Sequence, residues 1–110
     1  MSEPLILCNI KINAETPTLE FINNKRVYVK RLDLGNLPNN GAKTIDPQLF
    51  ENEEIVYFRS FAKHSTGSVA DVASTLGQLL YTANDKMFTI TTTTDRSEWQ
   101  AYIDVYYIKN

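Results

Sequence analysis

From Lys86 to Ile108, apolar and polar residues alternate in two runs that flank a polar break at Asp95-Arg96-Ser97. A period of two sends successive side chains to opposite faces of a strand, and two such runs around a break read as a β-hairpin. In the second run Trp99, Ala101, Ile103, Val105 and Tyr107 fall on one face, and Glu98, Gln100, Tyr102, Asp104 and Tyr106 on the other. In the first run Phe88 and Ile90 share a face, which Thr92 and Thr94 continue. A lone hairpin is marginal in water, so the remaining chain is expected to cover its apolar side.

The same patterning recurs upstream. Leu5 to Ile12 follows Pro4 and places Ile6, Cys8, Ile10 and Ile12 on one face. Thr18 to Ile22 is a short strand, and Asn23-Asn24 is a turn signal. Arg26 to Leu32 reads as a strand with Val27 and Val29 inward and Tyr28 and Lys30 outward. Gly35 to Gly41 is the clearest loop, and Thr44 to Phe50, broken by Pro47, is expected to be irregular. Glu53 to Ala62 is apolar on both faces, which predicts a central strand or one covered by a partner. Gln78 to Ala83 is a further strand, followed by a tight turn at Asn84-Asp85. Ser65 to Gly77 is ambiguous between loop and helix. Ser68 with Asp71 resembles a capping box, Val69, Val72, Ala73 and Leu76 have helical spacing, and Gly77 suits a stop. The expected fold is all-β: a single-domain antiparallel sandwich over residues 1–110, of about seven short strands, with one short helix near 68–76.

Composition narrows the function classes. The chain has 110 residues, 43% hydrophobic and 22% charged, an ordinary globular balance. A formal net charge of -2 gives no basic field for nucleic acid. Cys8 is the sole cysteine, which excludes an intrachain disulfide and a cysteine zinc site. No basic n-region or long apolar segment is visible, so neither a signal peptide nor a membrane span is expected. That favours a cytoplasmic or parasporal-inclusion protein over a classically secreted one.

Candidate chemistry is sparse. His64, the only histidine, lies between Lys63 and Ser65 and reads as a solvated loop residue, without partners for a metal or a triad. Cys8 reads as a buried structural thiol. Asp46, Glu51, Glu53 and Glu54 lack the alternating spacing and glycine of a calcium loop. No catalytic residue, metal or cofactor is expected. Two features fit binding instead. Tyr28, Tyr102 and Tyr106 are expected to face outward, and Tyr57 or Phe58 must do so as well; with Tyr57 they form the candidate ligand or partner surface. The competing reading is cross-strand pairs that shield the sheet. The second feature is charge asymmetry between Lys25, Arg26, Lys30 and Arg31 and the acidic cluster at 46–54. If these lay at opposite ends, copies could meet head-to-tail as a homo-oligomer or higher assembly.

The order of features resembles the aegerolysins and related small crystal-toxin β-sandwiches. It is carried by Asn9-Ile-Lys-Ile-Asn13, Asn23-Asn24, Leu37-Pro-Asn-Asn-Gly41, Gly77-Gln-Leu-Leu-Tyr81 and Phe88-Thr-Ile90. The chain departs from that pattern in having little glycine and one tryptophan. The resemblance implies a secreted or parasporal protein that binds membrane lipid, with a protein partner. The function expected is therefore a non-catalytic, toxin-like module that recognises lipid or another surface through outward tyrosines. The alternatives are a self-assembling structural subunit and a protein inhibitor or carbohydrate-binding module.

Overall fold

The computed structural model describes residues 10–110, among which eight strands form two antiparallel sheets. In spatial order the larger sheet contains β1 (Thr16–Ile22), β2 (Lys25–Asn36), β8 (Trp99–Lys109), β4 (Glu53–His64) and β5 (Val69–Ala70). The smaller sheet contains β3 (Ala42–Ile45), β7 (Met87–Thr91) and β6 (Gln78–Thr82). The all-β sandwich expected from the alternation is the fold observed. Cys8 and most of the strand expected over 5–12 lie outside the described residues. Ile10 to Ile12 belong to no strand, although Ile12 makes a single parallel bridge to Arg31.

Local chemistry sets the turns. Asn23 and Asn24 both adopt positive φ, 52° and 62°, as a two-residue turn that matches strand twist requires. They join β1 to β2. Gly35, at φ 68°, sits where the pairing of β2 with β8 shifts register. The Lys43 ammonium of β3 reaches across to donate to the carbonyls of Leu34 and Asn36 there. The ambiguous segment forms one π-helical turn, Val72–Leu76, with Val72 and Leu76 buried. Asp71 caps it rather than Ser68, its carboxylate accepting from the Ala73 amide at 2.9 Å. No helix among the described residues is long and apolar enough to cross a membrane.

The main core lies between the sheets. Ala101, Ile103, Val105 and Tyr107 of β8, with Leu32 and Leu34 of β2, meet Phe88 and Ile90 of β7. Trp99 packs at its margin. The apolar row expected on β8 therefore enters the main core, although Asp104, Tyr106 and Ile108 of the other row are buried as well.

Three expectations are corrected. The runs at 86–94 and 98–108 do not pair as a hairpin: β7 and β8 belong to different sheets and face one another across the core. Between them the chain crosses beside residues 38–41, Asn40 donating to Thr94 and Thr92 to Gly41. Second, Val27 and Val29 do not enter the main core. Leu32 and Leu34 do, with Tyr28 packed against them, so the two valines turn to the opposite face and a second cluster with Tyr106 and Ile108. Third, 44–50 is not wholly irregular, since β3 includes Thr44 and Ile45.

Candidate surface on the outer face of the larger sheet

The face of the larger sheet turned away from the main core gathers most of the sequence-nominated aromatics. Alternation along β8 places Gln100, Tyr102, Asp104 and Tyr106 there. Opposite them on β4 stand Lys63, Phe61, Arg59 and Tyr57. A register shift between Ile55 and Tyr57 resets the phase of β4, so Tyr57 turns outward and Phe58 packs inward against Phe88.

Two cross-strand ring pairs order this face. Tyr57 stacks on Tyr106 with centroids 4.3 Å apart, and Phe61 stacks on Tyr102 at 5.2 Å. Between the pairs, Arg31 of β2 donates twice to Asp104, Nε to Oδ1 at 2.6 Å and Nη2 to Oδ2 at 2.9 Å. Its guanidinium also lies 4.8 Å from the centre of the Phe61 ring. A planar fork that pairs with a carboxylate and stacks on a ring is chemistry that lysine could not supply. The Asp104 hydrogen bond is the leading cause that holds the Arg31 guanidinium above its ordinary range. Tyr57 donates its hydroxyl to Glu20 of β1, and burial first, then Glu20, pushes that phenol upward.

Tyr57 and Tyr102 are half-buried on this face, but Tyr106 is 8% exposed and is not outward in the sense expected. The Tyr57 ring and the second apolar cluster cover it. Tyr28 is on the opposite face, its ring 6.1 Å from Tyr107 and 4.5 Å below the Lys109 ammonium. The four nominated tyrosines are thus three on one face and one on the other.

The basic residues separate in the same way. Lys25 and Arg31 belong to the outer face, Arg26 and Lys30 to the inner. Arg26 donates to the Thr18 carbonyl at 2.7 Å and lies over Phe21. Lys30 donates to the Gln48 carbonyl at 3.2 Å; burial lowers its pKa, opposed by the charges of Glu53, Glu15 and Asp46. Lys25 donates to Asn110, whose amide donates to Glu54 at 3.0 Å. Glu53 accepts from the Phe50 amide, Asp46 from that of Gln48, and Glu51 lines a pocket with Glu54 and Lys86. Basic and acidic residues therefore interleave, and do not occupy opposite ends of the subunit.

His64 is the last residue of β4 and is more constrained than a solvated loop residue. Its Nε2 is 3.1 Å from Glu98, its Nδ1 is 2.9 Å from the Thr66 hydroxyl, and its ring meets Trp99 edge-on. The Thr66 amide also approaches Nδ1, at 3.2 Å, so this is a local turn contact as well. Among the described residues no three His, Cys, Asp or Glu side chains are grouped to hold a metal ion.

Sequence reasoning missed Arg59, Phe61 and Lys63. Once Tyr57 is placed outward, the strand period nominates all three. Read together, the outer side of β4 runs Tyr57, Arg59, Phe61, Lys63, rings alternating with cations. Arg59 and Lys63 are exposed. No protein-family model, curated protein or solved structure matches this chain.

Proposed function

We propose that this protein is a non-catalytic recognition module that docks on a membrane surface through the outer face of its larger sheet. The stripe Tyr57, Arg59, Phe61, Lys63 carries the reading. Aromatic rings with one wet edge settle at the level of lipid headgroups. Arginine and lysine beside them meet headgroup phosphates, each contributing on the order of 1 kcal/mol at an anionic surface. The sheet beneath is rigid, because ring stacks and the Arg31–Asp104 pair fix the neighbouring side chains, so little entropy is lost on docking. Lipid binding is also what the resemblance to the aegerolysins implies.

Co-sedimentation with vesicles of neutral lipid, and of neutral lipid mixed with phosphatidylserine, tests the proposal. The native chain is expected to pellet with the mixed vesicles. The double variant Arg59→Glu, Lys63→Glu is expected to stay in the supernatant, and Phe61→Ala to bind several-fold less. Failure to pellet with either vesicle would end the membrane reading. Pelleting without lipid would instead mark self-association, for which β1, an edge strand among the described residues, offers the exposed Leu19 and Phe21.

A further inference from the structure

A cavity of about 340 Å³ opens between the π-helical turn and the ends of β6 and β7. Ser74, Thr75, Gln78, Thr91 and Thr93 contribute hydroxyls and one amide to its lining, beside the apolar Leu76 and Gly77. Arg96 is the single charged residue in it. Gly77 lets the walls close up, because a Cβ there would collide with the Thr91 carbonyl.

Arg96 is held by its backbone, while its buried Nε–H finds no partner among the described residues. Its amide donates to Pro38 at 3.2 Å, and its carbonyl accepts from Trp99 at 3.0 Å. The side chain makes no ion pair with any described residue, and its buried Nε–H has no acceptor among them. Adjacent acids are engaged elsewhere. Asp95 accepts from the Ser97 amide at 2.9 Å and hydroxyl at 2.6 Å, and Asp71 from Ala73 and Ser60. A half-buried guanidinium without a carboxylate is costly to keep for stability alone.

We infer that this cavity binds an oxyanion, whether carboxylate, sulfate or phosphate, carried on a small polyol or sugar. The guanidinium fork matches the paired oxygens of such a group. The lining holds no carboxylate to repel it. The volume lies near the lower bound for small-molecule sites, about 300 Å³, and well above what a bare oxyanion fills. Hydroxyl and amide side chains around the remaining space suit a ligand that is itself rich in hydroxyls. The threonine run gains a meaning here. Thr92 is buried and donates to Pro38 at 2.8 Å, bracing the loop that also holds Arg96, while Thr91 and Thr93 alternate outward to the cavity. The site shares no residue with the β4 stripe, so the two proposals stand or fall separately.

Titration of the isotope-labelled chain, followed by amide NMR shifts, tests the site with four probes: glucose 6-phosphate, glucuronate, inorganic phosphate and uncharged glucose. Saturable shifts confined to residues 74–78 and 91–96 are expected with the first two. Weaker shifts are expected with inorganic phosphate, and none with glucose. Arg96→Gln should reduce affinity by about tenfold or more. Arg96→Lys, which keeps the charge and loses the fork, should fall between, and it decides the matter if the glutamine variant does not fold. No saturable shift with any anion, or unchanged affinity in a folded Arg96 variant, would overturn the inference.

Discussion

Strand β8 meets two different environments on its two sides. Inward it presents Ala101, Ile103, Val105 and Tyr107 to the facing sheet. Outward it presents Tyr102, Asp104 and Tyr106, each matched to a partner on a neighbouring strand: Phe61, Arg31 and Tyr57. The inner side is held by exclusion of water, which is non-directional and scales with buried area. The outer side adds oriented pairs, each worth little, to a smaller buried cluster of Val27, Val29, Tyr106 and Ile108, and only Tyr102 of the three keeps partial contact with solvent. One strand can thus anchor the main core on one side and, on the other, combine a smaller apolar cluster with oriented pairs.

Truncation on either side exposes the difference. Ile103 is fully buried, so Ile103→Ala should cost about 2–5 kcal/mol, the lost transfer energy plus a cavity. Tyr102→Ala removes a half-exposed ring and one stack, and should cost about 1 kcal/mol. Urea unfolding of both variants reads the contrast directly. Equal losses would mean that Tyr102 belongs energetically to the buried cluster of that face and not to its exposed part.

The ion pair on the outer face gives a sharper test with a smaller effect. The side chains of Arg31 and Asp104 are 28% and 9% exposed. Asp104→Ala leaves a guanidinium without its carboxylate, at a cost of about 1–3 kcal/mol, less than a fully buried pair because Arg31 keeps some water. Replacing both partners, Arg31→Met with Asp104→Leu, should recover most of that loss, since neither charge then needs solvation. If the double variant is no more stable than the single, the pair contributes net stability that the comparison does not assign to it.

Much of the inner side was legible in the alternation, and much of the outer side was not. The row from Trp99 to Tyr107 follows from strand geometry alone. Alternation encodes which face a residue takes, however, and not which strand lies beside it. That is why the runs around Asp95 read as a hairpin when they belong to opposing sheets. On β2 two apolar parities compete, Val27 with Val29 against Leu32 with Leu34, and both are satisfied because each face of the sheet carries its own cluster. The shift near Val56 is invisible in the sequence and decides that Tyr57, not Phe58, faces outward and covers Tyr106. Arg96 gave no signal, because what sets it apart is that no carboxylate among the described residues pairs with it.

The rim between the two faces supplies the smallest test, through pH. Tyr107 reaches from the core to donate its hydroxyl to Glu15 at 2.6 Å, and Lys109 donates to the other oxygen at 2.8 Å. Burial alone would raise the Glu15 carboxyl, but the hydrogen bonds from Lys109 and Tyr107 outweigh it and hold the group below its ordinary value of 4.5. A carboxyl lowered in the folded state binds its proton less readily there than in the unfolded chain. Its stabilisation is therefore complete above about pH 4.5 and is lost as the pH falls through the lower, folded value. Glu15→Gln cannot ionise and lacks this contribution at every pH. The native chain should be the more stable of the two near neutrality, and the gap should close on acidification below that value. Unfolding curves that stay parallel down to pH 3 (about one and a half units below the ordinary value of the carboxyl) would show that Glu15 does not couple the polar tip of Tyr107 to the rim.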